Sequence, residues 1–218
     1  MFSSKYSKAL TVVLIIVIIG IIGTIGYFIY DVFVVQTKKN DAQDIVNEFN
    51  NASIKKEFEK KSTDGDDSTP EVESGIPEAS TEKKKVYMEG YEVMGTISIP
   101  KTGIEYPILS EVTTKSLETS VAILYGVGLN QPGNTTIVGH NYRNGLFFSD
   151  NKKLSNGDII KITDQTGTTI TYEIYNMYET SPSDASYMQR DTQGAREISL
   201  STCTDDSSAR LIILAKEK

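Results

Sequence analysis

ISLSTCTDDSSARLIILAKE, residues 198–217, decides how the rest of the chain is read. Two apolar runs flank a short stretch of Thr, Asp and Ser, the pattern of two antiparallel strands joined by a polar turn. Cys203, the single cysteine among 218 residues, stands where the first run turns polar, and Arg210 opens the second. In such a hairpin the two side chains share one rim of a sheet. Strand ends are where a rigid scaffold presents reactive groups to solvent.

The same β signature extends back to Val86. Runs rich in Ile, Val, Thr and Tyr at 91–99, 103–109, 120–125, 134–139, 157–163, 168–178, 196–202 and 209–216 are bounded by Gly, Pro, Asn and Asp clusters. Asp164-Gln165-Thr166-Gly167 is a short hairpin turn between two of them. Only 113–119 and 184–190 have room for a turn or two of helix. Seven or eight short strands over 86–218 predict an all-β barrel or sandwich.

Upstream the chain changes character. ALTVVLIIVIIGIIGTIGYFIY, residues 9–30, holds no charge. As a helix of 1.5 Å rise it is about 33 Å long, enough for the ~30 Å hydrocarbon core of a bilayer. A cleaved signal would have a shorter apolar region and a small-residue cleavage site, so the run reads as an uncleaved single-pass anchor. Lys5 and Lys8 before it favour residues 1–8 inside the cell, although Lys38 and Lys39 follow closely. Residues 31–85 connect anchor to barrel. Within them 39–61 predicts a short helix with Ile45, Val46 and Phe49 on its apolar stripe and Phe58 as a further candidate. The Ser/Thr/Asp/Glu/Pro-rich stretch 62–85 has too little apolar surface to order itself and reads as a tether.

Composition excludes several functions. A net charge of −7 argues against a nucleic-acid partner. One cysteine forbids an internal disulfide and any multi-cysteine zinc or iron–sulfur site, and one histidine, His140, forbids a metal site built on His clusters. No metal and no cofactor is expected.

His140 follows NTTIVG, just past a strand end, as Cys203 follows ISLST. A thiol is mostly protonated at neutral pH, and a nearby imidazole can take its proton and later protonate a leaving amine. Arginine stays charged and donates several hydrogen bonds, suiting it to a developing oxyanion or a substrate backbone. Together the three make a minimal kit for attack on a carbonyl. The residue types alone leave a bland reading open, with Cys203 a small buried hydrophobe and Arg210 a surface charge, and they name no substrate.

Leu200-Ser201-Thr202-Cys203 with Arg210 on the next run resembles the L-x-T-C … R signature of sortases, membrane-anchored cysteine transpeptidases of Gram-positive bacteria. Gly139-His140-Asn141 is similar to that family's histidine element. The resemblance covers residues 86–218 and implies an eight-stranded sortase-type β-barrel with short helices behind one N-terminal transmembrane helix. It implies Cys203 as nucleophile, His140 as general acid/base and Arg210 as oxyanion or sorting-peptide donor, with Thr202, Ser201 and Asn141 beside the substrate. The implied reaction cleaves an LPxTG-like motif of a surface protein after Thr through a thioester. An amine of a peptidoglycan precursor or a pilin lysine then resolves it, with the catalytic domain extracellular.

GHNYRNGLFF and STCTDD look most like class B members. Ser199 departs from the Thr that many members carry, and 120–139 lacks the acidic residues of calcium-binding members. Asp205 and Asp206 read as solvated loop acids, and Tyr142, Phe147 and Phe148 as barrel packing. Two rival functions remain at this level: a membrane-tethered β-barrel binding module, and a cysteine hydrolase that ignores amines.

Overall fold

The structure, a computed structural model, describes residues 4–61 and 85–218, with side chains described for 8–52 and 85–218. The expected tether, except Lys85, and the side chain of Phe58 lie outside the described residues. The chain divides into two units, Met1–Asn40 and Asp41–Lys218. Helix α1, Ser4–Lys61, contributes to both.

In the first unit every large apolar side chain from Leu10 to Phe33 is exposed. Such a surface is stable in lipid and costly in water. Among the described residues this is one helix long and apolar enough to cross a membrane.

In the second unit α1 is amphipathic. Ala42, Val46 and Phe49 recur at helical spacing and are buried, and Phe49 packs with Val86, Met88, Val93, Leu109 and Ala122. Burial of Phe49 alone contributes about 2–3 kcal/mol. The predicted stripe is therefore part of the barrel's packing.

The strands are β1 (Tyr87–Met88), β2 (Tyr91–Ile99), β3 (Ile104–Leu109), β4 (Val121–Gly126), β5 (Gly133–Val138), β6 (Ile159–Asp164), β7 (Thr169–Thr180), β8 (Arg196–Cys203) and β9 (Arg210–Glu217). Their order is β1-β2-β3-β4-β5-β8-β9-β7-β6, and β6 also pairs with β2. That last pairing closes β2 to β9 into an eight-stranded barrel, with the two-residue β1 paired to the start of β2. Closure removes the exposed edges that an open sheet would leave. Gly95 lies at the seam opposite Asp164. A Cβ there would sit 2.4 Å from Thr163 O and 2.5 Å from a Leu129 methyl, so only glycine lets β2 and β6 approach.

Each predicted strand is present, 91–99 with the same ends and the others with ends moved by at most two residues. Asp164 Oδ1 accepts from Thr166 N–H at 2.8 Å, which builds the predicted turn between β6 and β7. Helix α2, Thr114–Thr119, occupies the first helical site, its start fixed by a reciprocal capping box between Thr113 and Ser116. The second site, 184–190, forms turns instead. Asp184 caps Ser186 N–H, and the Tyr187 and Met188 carbonyls accept from the Asn134 amide rather than from a helical turn. A single 3₁₀ turn, Asn151–Lys153, was not signalled by any periodicity.

Candidate active site

β5 and β8 run parallel, with Val138 opposite Ser201 as their last registered pair. Gly139 N–H then donates to Ser201 O at 3.3 Å. His140 and Cys203 each follow two residues after that pair, so they leave neighbouring strands, spaced ~4.8 Å apart, at the same level. On the other side β9 is antiparallel to β8, and Cys203 opposite Arg210 is the final pair. The seven-residue spacing thus opposes the two side chains directly. Arg210 Nη1 donates to Cys203 Sγ at 2.9 Å, and both residues are half-buried.

Alternation along β8 sorts its side chains. Ile198, Leu200 and Thr202 point into the barrel, while Ser199, Ser201 and Cys203 share the outer face. Thr202 is buried, and its hydroxyl has no hydrogen-bond partner among the described residues. Ser201 is also buried, beneath Tyr187, whose hydroxyl donates to Ser201 Oγ at 3.3 Å. Both side chains, expected beside substrate, are thus buried in this structure.

Gly139 lets the strand end carrying His140 pack tightly. A Cβ there would lie 2.8 Å from Val121 Cγ1 and 2.9 Å from the Phe148 ring. The His140 ring meets Tyr142 at 4.9 Å between centroids, Tyr142 meets Phe147 at 5.7 Å, and Phe147 meets Tyr106 at 5.2 Å. Phe147 and Phe148 are buried as expected, but Tyr142 remains 40% exposed and braces the imidazole. Loss of solvent around its phenol, with the Glu118 charge second, pushes the Tyr142 pKa up.

Asn141 donates through Nδ2 to Cys203 O at 3.0 Å and to Asp205 Oδ1 at 2.9 Å, and its Oδ1 accepts from Arg143 N–H at 3.0 Å. Lys152 Nζ holds the other Asp205 oxygen. The Lys152 ammonium first, then the Asn141 amide, keep the Asp205 carboxyl below the usual carboxylate range. Asp205 is solvated as expected, yet it also ties two loops together. Asp206 serves its own turn: Thr204 Oγ1–H, then the Ser208 N–H and hydroxyl, lower its pKa to about 2.

Among the described residues no group of three or more His, Cys, Asp or Glu side chains gathers to hold a metal ion. Sequence reasoning missed the Tyr142 stack and the Asn141–Asp205–Lys152 tie. The former had a weak signal, an aromatic residue two positions past His140. The latter had none, because Lys152 belongs to a separate turn.

The Sortase domain family model matches residues 97–218. Sortase A of Bacillus anthracis is 30% identical over 165 residues, covering 73% of this chain and 74% of that protein. Among solved structures, a lid mutant of sortase A from Corynebacterium diphtheriae is similar at 30% identity and TM-score 0.53, over 58% of this chain and 70% of that one. Sortase C1 from Streptococcus agalactiae is similar at 29% identity and TM-score 0.53, over 58% and 67%. These relatives carry A and C designations, so the class B likeness rests on its two short stretches alone. Barrel and matched sequence agree: the chain belongs to the sortase family, the cysteine transpeptidases that anchor surface proteins.

Proposed function

We propose that Cys203 attacks the Thr carbonyl of an LPxTG-like sorting motif, with His140 as general acid/base and Arg210 as the donor to the oxyanion. The observation that carries this reading is the Arg210 guanidinium on the Cys203 sulfur at the last rung of β8–β9. His140 takes the Cys203 thiol proton, and the sulfur–carbon bond forms as the carbonyl electrons move to oxygen, where a fixed cationic donor is worth most. Collapse breaks the Thr–Gly bond, and His140 protonates the departing amine. The thioester on Cys203 is then attacked by an amine whose proton passes to His140, and the thiolate leaves. A peptidoglycan precursor or a pilin lysine supplies that amine. Ser201 and Thr202 contribute through the backbone of β8 rather than through their side chains.

The segment order read from the sequence belongs to the same proposal. Residues 1–8 are cytoplasmic, 9–30 span the membrane, 31–85 connect, and the barrel of 86–218 works outside. The membrane association of sortases and the exposed apolar helix support it. Because Cys203 is the sole cysteine, its labelling on intact cells by a membrane-impermeant maleimide reports the side on which the barrel lies.

The chemistry is tested by incubating the full chain in detergent with LPxTG-like and NPxTx-like peptides, with and without hydroxylamine, and reading intact masses. A peptide adduct on Cys203 and a hydroxamate ending in Thr are expected. Free acid alone, unchanged by hydroxylamine, would make the protein a hydrolase. No adduct, with Cys203 inert to iodoacetamide, would remove the nucleophile from the scheme.

A further inference from the structure

Parallel strands are joined by evenly spaced rungs in which every second amide of one strand donates to every second carbonyl of the other. The Gly139 N–H to Ser201 O bond is one such rung. Its successor would run from the backbone N–H of Asn141 to Cys203 O. Instead the backbone turns away: Asn141 bridges to Phe147, and Phe148 N–H donates to His140 O at 3.1 Å. The Asn141 side chain occupies the missing position, with Nδ2 donating to Cys203 O at 3.0 Å. Its other amide proton goes to Asp205 Oδ1 at 2.9 Å, and its oxygen accepts from Arg143 N–H. Both donors are used inside the protein, so none is left over for a peptide.

We propose that Asn141 is a positioning residue, not the substrate-binding group its place beside His140 implied. It holds the segment bearing His140 at a fixed separation from the segment bearing Cys203 while the two backbones part. The Asp205–Lys152 contact steadies the same tie from the far side of the rim. This rests on the catalytic reading of Cys203 and His140 above.

The test uses the full chain in detergent with the peptide that gives the best Cys203 adduct. Asn141→Asp keeps the shape and the acceptor for Arg143 N–H but removes both donors; Asn141→Ala removes everything; Asp205→Ala removes one acceptor. Since misplacing a reacting group by about 1 Å can cost ~100-fold, both Asn141 variants are expected to lose roughly 10- to 100-fold in kcat. KM should stay within about two-fold, as for an interaction felt only in the transition state. Their thermal midpoints should match the parent. Cys203 alkylation by iodoacetamide without peptide should also slow, which a substrate contact would not cause. Asp205→Ala should show a smaller loss of the same kind.

A raised KM with kcat and alkylation unchanged would return Asn141 to the substrate. A lowered thermal midpoint with normal kcat in the folded fraction would make it merely structural. Wild-type kinetics in Asn141→Asp would remove the tie altogether. His140→Ala and Cys203→Ala run alongside: activity in either sinks the catalytic reading itself, whereas inactivity in both with a normal Asn141→Asp sinks only the positioning role.

Discussion

Asn134 and Asn141 stand at opposite ends of β5, and both use the amide and the carbonyl of their side chains inside the protein. Asn134 is buried. It accepts from Arg190 Nη2 and Ser199 Oγ, both at 2.9 Å, and donates to the Tyr187 and Met188 carbonyls. Arg190 also pairs with Glu197 at 2.6 Å and caps Tyr187 O. This network fastens the β7–β8 connection to the outer wall of the barrel, over the apolar group of Tyr187, Ile212 and Leu214. Asn141 is only half-buried, and its partners are Cys203 O, Asp205 and Arg143 N–H, beside the proposed catalytic residues. A part-buried ion pair joined to the buried Asn134 and Ser199 is felt in stability when one member is removed, whereas a half-solvated tie costs little stability when cut. On the proposed reading one end of the β5–β8 pair carries stability, and the other carries geometry.

The largest expected effect lies wholly at the rim. Cys203→Ala and His140→Ala should each lower kcat/KM by at least ~10⁴-fold with the thermal midpoint unmoved, as members of one covalent mechanism do. Arg210→Ala should cost about 10²- to 10³-fold in kcat, and Arg210→Lys should recover only part of it, because an ammonium lacks the planar fork. A collapse of folding in any of these, seen by calorimetry, would break the division between the ends.

At the other end the readouts exchange. Arg190→Ala leaves Glu197, whose side chain is 13% exposed, without its cation. The pair is part-buried and Tyr175 Oη–H still donates to Glu197, so the loss should fall below the roughly 3–5 kcal/mol of a fully buried pair. It should be visible as a lowered denaturation midpoint in urea, while kcat of the folded fraction stays near wild type. Gly139→Ala sits between the two ends. Its Cβ would press on Val121 and Phe148, so about 1–3 kcal/mol of overpacking should appear together with a fall in kcat. A loss in only one of the two would assign Gly139 wholly to that end.

The smallest effect concerns pH. Asp206 has a folded pKa of about 2, below its ordinary value of 3.8. Its contribution to the 204–208 turn is thus complete above the ordinary value and is lost as pH falls through about 2. Amide exchange at Ser208 should quicken across that acid window in the parent. In Asp206→Asn the acid-induced step should be absent.

The site was legible in unequal parts. Cys203 and Arg210 could be placed together because a short polar loop between two apolar runs leaves one antiparallel arrangement, and the final β8–β9 pair is that arrangement. His140 could be placed at a strand end but not beside Cys203, since nothing local says that β5 lies parallel to β8. Thr202 and Ser201 illustrate a subtler limit. Alternation alone sends the Thr202 side chain to the face opposite Cys203, whereas the cover of Tyr187 over Ser201 comes from a segment 14 residues away. The helix carrying Phe49 was legible as a stripe, while its partners Val93, Leu109 and Ala122 were not.

The sequence by itself determined the long apolar N-terminal helix, the eight longer strands, the turn at Asp164 and the opposition of Cys203 to Arg210. These depend on residue period and on contacts a few positions apart, which the chain writes locally. The tertiary structure alone decided that β6 closes on β2, that His140 stands level with Cys203, that Tyr142 braces the imidazole, and that Asn141 supplies a rung the backbone abandons. Each of those joins segments far apart in the chain, and such pairings are selected by the packing of the whole barrel rather than by any stretch of it.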